Sequence, residues 1–194
     1  MRKAQLHRVT RETDIRLELG LEGGETRIRT GLAYFDHMLL QLSKHGGFGL
    51  VLEAKGDLDV DSHHLVEDAG LALGDALREA LGERKGIARW GEAHIPMDET
   101  LARVVVDLSG RPYCVFDADL PRIVLGNGFQ VEMVREFFIA FAMRGQLNLH
   151  AAILYGQNTH HQVEALFKGL ARALKQAVRV EGEAVPSTKG TLTS

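Results

Sequence analysis

Residues 61–68 read DSHHLVED, and residues 157–165 read QNTHHQVEA. Each stretch carries two adjacent histidines and, three places after the second, a glutamate. Reading outward from the pair decides the fold. Before the first cluster, Ile15, Leu17, Leu19 and Leu21 alternate with polar residues, as in a half-buried strand. Gly23-Gly24 is a turn signal, and Ile28 lies in a second short alternating segment. Phe35, Met38, Leu39 and Leu42 have helical spacing, and Gly46-Gly47 ends that run. Leu50, Leu52 and Ala54 alternate again, and Asp61 or Ser62 can cap a helix marked by Val66, Ala69, Leu73 and Leu77. The second cluster has the same surroundings. Residues 101–108 are strand-like, 109–112 form a turn, and 113–116 pair back. An irregular loop over 119–130 leads to a helix marked by Val134, Phe137, Phe138 and Phe141, which stops at Gly145. Leu147, Leu149, Ala151 and Ile153 alternate, and a last helix spans about 159–178. The order strand, strand, helix, strand, helix thus occurs twice, an α+β chain built from a tandem duplicated β-β-α-β-α unit. The halves are residues 1–91 and 92–180 of one compact unit, followed by a small polar tail, 181–194.

Composition narrows the function. A hydrophobic share of 45% over 194 residues supports a core without disulfide staples. The net charge of −3 argues against a dedicated nucleic-acid binder. The single cysteine, Cys114, lies in the apolar run PYCVF and reads as a buried core thiol; one cysteine without a partner suits the cytosol. The N-terminal residues show no apolar signal core, and no run approaches the roughly 20 apolar residues a membrane helix needs. A soluble cytoplasmic protein is expected, with no nucleic-acid or membrane partner.

On a helix, residues i and i+4 share a face, so His63 pairs with Glu67 and His160 with Glu164. The middle histidines, His64 and His161, point about a quarter-turn away. Superposing the halves on Gly46 and Gly145 makes His37 and Glu136 equivalent. One such cluster could be a solvated helix start, but two at equivalent places in a repeat point to a dinuclear metal site. The pseudo-twofold relation suggests one ion held by His37, His64, His160 and Glu164, and another by Glu136, His161, His63 and Glu67. Imidazole with carboxylate suits Mn, Fe, Zn or Co more than calcium or magnesium. Four protein ligands leave a six-coordinate ion open positions, which favours catalysis. The zinc-peptidase HExxH pattern is absent, and a four-helix di-iron bundle is disfavoured because strands separate the clusters. A second polar set, Arg89, Arg111, Lys168, Ser187 and Lys189, suits phosphate, with Lys168 on the ligand-bearing face of its helix. A metal-dependent enzyme, such as a dinuclear hydrolase, and a protein whose metals only join subunits both remain open at this point.

The motifs RVTRET, FDHML, HGGF, GDLDVDSHHLVEDAGLALG, LGERKGIARWG, PMDE, DLSGRPY, NTHHQVEALFKGLARAL and PSTKG run in order from residue 8 to residue 190. Together they resemble the imidazoleglycerol-phosphate dehydratases of histidine biosynthesis. The resemblance implies a two-layer α/β sandwich, two Mn²⁺ per subunit, and a homo-oligomer of 24 subunits with active sites at interfaces. It implies loss of water from imidazoleglycerol phosphate, giving imidazoleacetol phosphate. Metal ions on the ring nitrogens would favour an imidazolate, which can expel the hydroxyl through a diazafulvene-like intermediate. By the same resemblance Glu12 is the acid or base, and Arg89, Arg111, Lys168, Ser187 and Lys189 hold the phosphate. His45, about two helical turns beyond His37, is a second candidate for proton transfer. Glu136 stands where relatives often carry histidine; a carboxylate can ligate the same ion. His150 reads as structural, and His7 and His94 as surface residues.

Overall fold

A computed structural model describes residues 1–192. The first half runs β1 (Lys3–Val9), β2 (Thr13–Gly20), β3 (Thr26–Arg29), α1 (Ala33–Gly46), β4 (Gly49–Gly56) and α2 (His63–Leu81). The second runs β5 (Trp90–Met97), β6 (Thr100–Asp107), β7 (Tyr113–Asp117), β8 (Val124–Leu125), β9 (Phe129–Gln130), α3 (Met133–Gly145), β10 (Asn148–Tyr155) and α4 (Thr159–Ala177). The two four-stranded sheets have the same order, β1-β2-β4-β3 and β5-β6-β10-β7. In both, the first three strands pair antiparallel and the last joins parallel.

The duplication is therefore present, with an additional strand opening each half. β1 and β5 escape the alternation test because their inward faces carry little apolar bulk. β1 offers Ala4 and a partly buried Leu6, and β5 offers Gly91 and Ala93 ahead of Ile95. β5 also crosses residues 91 and 92, where the halves were expected to divide. Residues 113–116 do not pair back on β6: β7 lies parallel to β10, with Leu149 opposite Cys114. β6 already has β5 and β10 on its two edges, and the β7–α3–β10 crossover delivers a parallel strand. Cys114 is only partly buried, although it packs against the core.

Each sheet is backed by helices of its own half: α2 lies on β1 and β2, and α4 on β5 and β6. The helices then meet across the halves, α2 on α3 and α1 on α4. Each half is thus a two-layer α/β unit, and the units stack helix to helix. Phe137 of α3 lies 5.2 Å from Phe167 of α4 and 5.6 Å from Phe35 of α1, ring centre to ring centre. All three are fully buried, each worth roughly 2–3 kcal/mol in removed apolar surface. The α2–α3 approach depends on Gly70 and Gly74. A Cβ on Gly70 would lie 2.9 Å from Phe137 O, and one on Gly74 2.6 Å from Phe141 O.

Residues expected to form an irregular loop between β7 and α3 carry the β8–β9 hairpin. Its Asn127 Oδ1 accepts from Ala33 N at 2.8 Å, so it caps α1 from the other half. Phe129 stacks on Phe35 at 5.8 Å beneath it. The helix bearing His37 is positioned by this insertion. The far end of α3 is held by Arg84, a residue only 1% exposed. It donates to the carbonyls of Leu108, Gly145 and Gln146 at 2.8–3.0 Å, and the last two are acceptors that the helix C-terminus leaves unpaired. No helix among the described residues is long and apolar enough to cross a membrane.

Candidate metal centre and phosphate cleft

α4 begins at a strong cap. Asn158 Oδ1 accepts from His160 N at 2.9 Å and from His161 N at 3.3 Å. One turn on, Glu164 faces α1, and the first cluster closes there. His160 Nε2 lies 2.9 Å from Glu164 Oε2, and His37 Nε2 lies 3.2 Å from the same oxygen. Donor atoms of His37, His160 and Glu164 all fall within 4.8 Å of one another. Glu164 is nearly buried, yet its other oxygen meets Lys168 Nζ at 2.6 Å. Burial would raise this carboxyl; hydrogen bonds from Lys168, His160 and His37 outweigh it and pull it down to about 2. An ionised carboxylate and two imidazoles aimed at one point form a donor set suited to a divalent transition ion. The residues fit the expected group.

Polar groups that the sequence reading passed over complete this face. Gln41, buried on α1, bridges two histidines: its Nε2 lies 3.3 Å from His37 Nε2, and its Oε1 accepts from His45 Nε2 at 3.0 Å. Its place midway between His37 and His45, four residues from each, was the available signal. Burial pushes the His45 imidazole down, and Lys168 and Lys44 add to the effect. Tyr34 packs edge-on against the His160 ring at 5.2 Å. Its buried hydroxyl has no hydrogen-bond partner among the described residues, and burial, then the Glu164 charge, pushes its pKa up.

The second expected set is less assembled within one chain. Asp61 Oδ1 accepts from His63 N at 2.7 Å and starts α2; Ser62 Oγ is spent on Gln130 instead. His63 Nε2 then lies 3.3 Å from Glu67 Oε2. Glu136, on α3, has its carboxylate 3.4 Å from the Arg135 guanidinium. Among the described residues only one group of three or more donors converges, so neither set of four is complete within a single chain. The middle histidines turn elsewhere. His64 Nδ1 meets Asp57 Oδ2 at 2.9 Å, with Nε2 3.7 Å from Glu12 Oε1. His161 Nδ1 meets Glu99 Oε2 at 2.8 Å, with Nε2 3.7 Å from Asp98 Oδ2. The Asp57 hydrogen bond raises the His64 pKa.

Glu12 sits at the exposed tip between β1 and β2. Asp68, next to Glu67, secures that tip to α2 by accepting from Arg8 at 2.8 Å and from the Thr13 hydroxyl. Of the phosphate candidates, Arg89, Arg111, Ser187 and Lys189 line one open cleft of about 600 Å³. Arg89 is already committed: its fork grips Asp107 at 2.7 and 3.0 Å, and Nη1 donates to Pro186 O at 2.8 Å. It thereby docks the tail that carries Ser187 and Lys189. Lys168 lies with the metal cluster instead, where Glu164, one turn before it, holds it. Within the tail, residues 193 and 194 lie outside the described residues. His7, His94 and His150 are all exposed, His150 on the outer face of its strand because it follows inward Leu149.

The family model for imidazoleglycerol-phosphate dehydratase matches residues 30–174. The imidazoleglycerol-phosphate dehydratase of Limosilactobacillus fermentum is 55% identical over 99% of this chain and 100% of its own length. The crystal structure of the dehydratase from Staphylococcus aureus superposes with a TM-score of 0.83 at 39% identity, covering 92% of this chain and 99% of that one. The Pyrococcus furiosus structure, in complex with (S)-C348, gives 0.82 at 41% identity, covering 96% and 99%.

Proposed function

The chain belongs to the imidazoleglycerol-phosphate dehydratase family, hydro-lyases of histidine biosynthesis, and from that premise we propose a metal-dependent dehydration of imidazoleglycerol phosphate to imidazoleacetol phosphate. The convergence of His37, His160 and Glu164 carries the proposal. Two divalent ions per subunit, Mn²⁺ by resemblance with other transition metals able to serve, would supply Lewis acidity to the substrate's ring nitrogens and ease proton loss from the ring. His64 would complete the first ligand set from another copy of the chain, and Glu136, His161, His63 and Glu67 would form the second. A homo-oligomer follows, of 24 subunits by resemblance, working in the cytosol.

The chain's own groups do the rest. Arg111, Ser187 and Lys189 hold the phosphate, with Arg89 fixing the tail beneath them. Binding energy from that end orients the reacting carbons. Lys168 keeps Glu164 ionised. Glu12 takes up the C–H proton that must leave before the enol can ketonise. His45, its basicity lowered by burial and its ring tied to His37 through Gln41, offers a second proton station.

The test is product formation. Purified protein with Mn²⁺ should convert imidazoleglycerol phosphate to a product with ultraviolet enol or ketone absorption, without releasing phosphate. Phosphate release without that product, or no turnover, would count against the assignment.

A further inference from the structure

The repeat pairs each first-half element with a second-half one: β2, starting at Thr13, with β6, starting at Thr100, and β4, ending at Gly56, with β10, ending at Tyr155. In that register Glu12 corresponds to Glu99, Asp57 to Gly156 and Asp68 to Ala165. The halves face the same two structural needs. A hairpin tip must be tied to the start of a helix, and a middle histidine must be oriented. The first half divides the work among separate carboxylates. Asp68 ties the tip through Arg8 and Thr13, and Asp57 takes His64 Nδ1 at 2.9 Å. The second half has glycine and alanine in those places, so Glu99 does both. Its Oε1 accepts from Asn158 N at 2.7 Å, Gln157 N at 3.0 Å and the Thr100 hydroxyl at 2.9 Å, and its Oε2 faces His161 Nδ1 at 2.8 Å.

We propose that Asp57 and Glu99 are positioning residues: each holds the Nδ1–H of a middle histidine, leaving Nε2 of His64 and His161 free as the metal donor. A carboxylate behind a ligating imidazole fixes its tautomer and ring plane and raises its basicity. Because Asp57 and Asp68 relieve Glu12 of both tasks, Glu12 alone of the two equivalent tip glutamates is left free of them, 3.7 Å from His64 Nε2. The duplicated site is thus chemically one-sided. The inference rests on His64 and His161 being metal ligands.

The experiment reads tautomer and affinity separately. Nitrogen-15 magic-angle-spinning spectra of the histidine-labelled, metal-free full chain, recorded at alkaline pH so that the imidazoles are neutral, should show the Nδ1–H tautomer for His64 and His161, identified by its loss in H64A and H161A. D57A should remove that signal for His64, while D57N, which keeps an acceptor, should restore it. Mn²⁺ affinity, followed by the electron-spin signal of the free ion, should fall 10–100-fold in D57A and less in D57N. E99A should act likewise on His161. If E99A does not fold, because Glu99 also holds the backbone entering α4, D57A decides alone. A retained Nδ1–H signal in D57A, or an affinity within twofold of wild type while H64A loses binding, would overturn the positioning role. Unchanged affinity in H64A and H161A would instead remove the ligand assignment beneath it.

Discussion

At the residue scale, the histidines were the most legible part of the chain. His63, His160, Glu67 and Glu164 are local i, i+4 pairs, and helical geometry alone brings them together. His37 required the repeat, since α1 reaches α4 only through tertiary packing. Asp57 and Glu99 were not legible as partners, because each role is set by loop conformation, whereas Gln41, four residues from both His37 and His45 on α1, was legible but passed over. Spacing also put Lys168 on the ligand-bearing face of α4, where its ammonium meets Glu164 one turn back. Glu12 is the residue whose assignment owes most to resemblance, and it makes the sharpest demand. Glu12→Gln removes a proton acceptor that is exposed and that the hairpin does not need for its tie to α2. The expected result is a loss of about 10²–10⁴ in kcat, with Mn²⁺ affinity within about twofold of wild type, since the ligands are untouched. Steady-state kinetics and metal titration on one preparation check both halves of that statement.

At the element scale, the four helices followed their apolar periodicity closely, and the two glycine stops, Gly46 and Gly145, fall where α1 and α3 end. The strands were harder. β1 and β5 bury too little to alternate visibly, and a parallel partner such as β7 cannot be read from neighbouring sequence, because its pairing forms across a helix. The β8–β9 hairpin was hidden for a related reason: its purpose, capping α1, belongs to the other half. The α2–α3 contact gives the element-level test. Gly74→Ala would press a methyl into Phe141 O at 2.6 Å and Gly145 N at 2.8 Å, both backbone atoms that cannot rotate aside. A loss of about 1–3 kcal/mol is expected, seen as a drop of roughly 2–10 °C in the unfolding midpoint. Gly182→Ala, where a Cβ meets nothing within 4 Å, is the control and should leave the midpoint nearly unchanged.

At the scale of the whole molecule, duplication explains why one chain carries the same cluster twice. Two α/β units stack helix to helix, and that stacking brings His37 of one half against His160 and Glu164 of the other. Each unit alone supplies too few donors, and even both together leave His64 and His161 turned toward their own carboxylates rather than toward the cluster. Under the proposed function, closing the ligand sets would call for a second copy of the chain, and the duplicated fold would serve as a scaffold for metal ions held between halves and between molecules. The measurement that tests this most directly is turnover of imidazoleglycerol phosphate followed against bound metal as Mn²⁺ is returned to chelated protein. Activity should be negligible without metal and should rise in step with binding toward about two ions per chain, one for each proposed ligand set. Full turnover by metal-free protein would contradict the account.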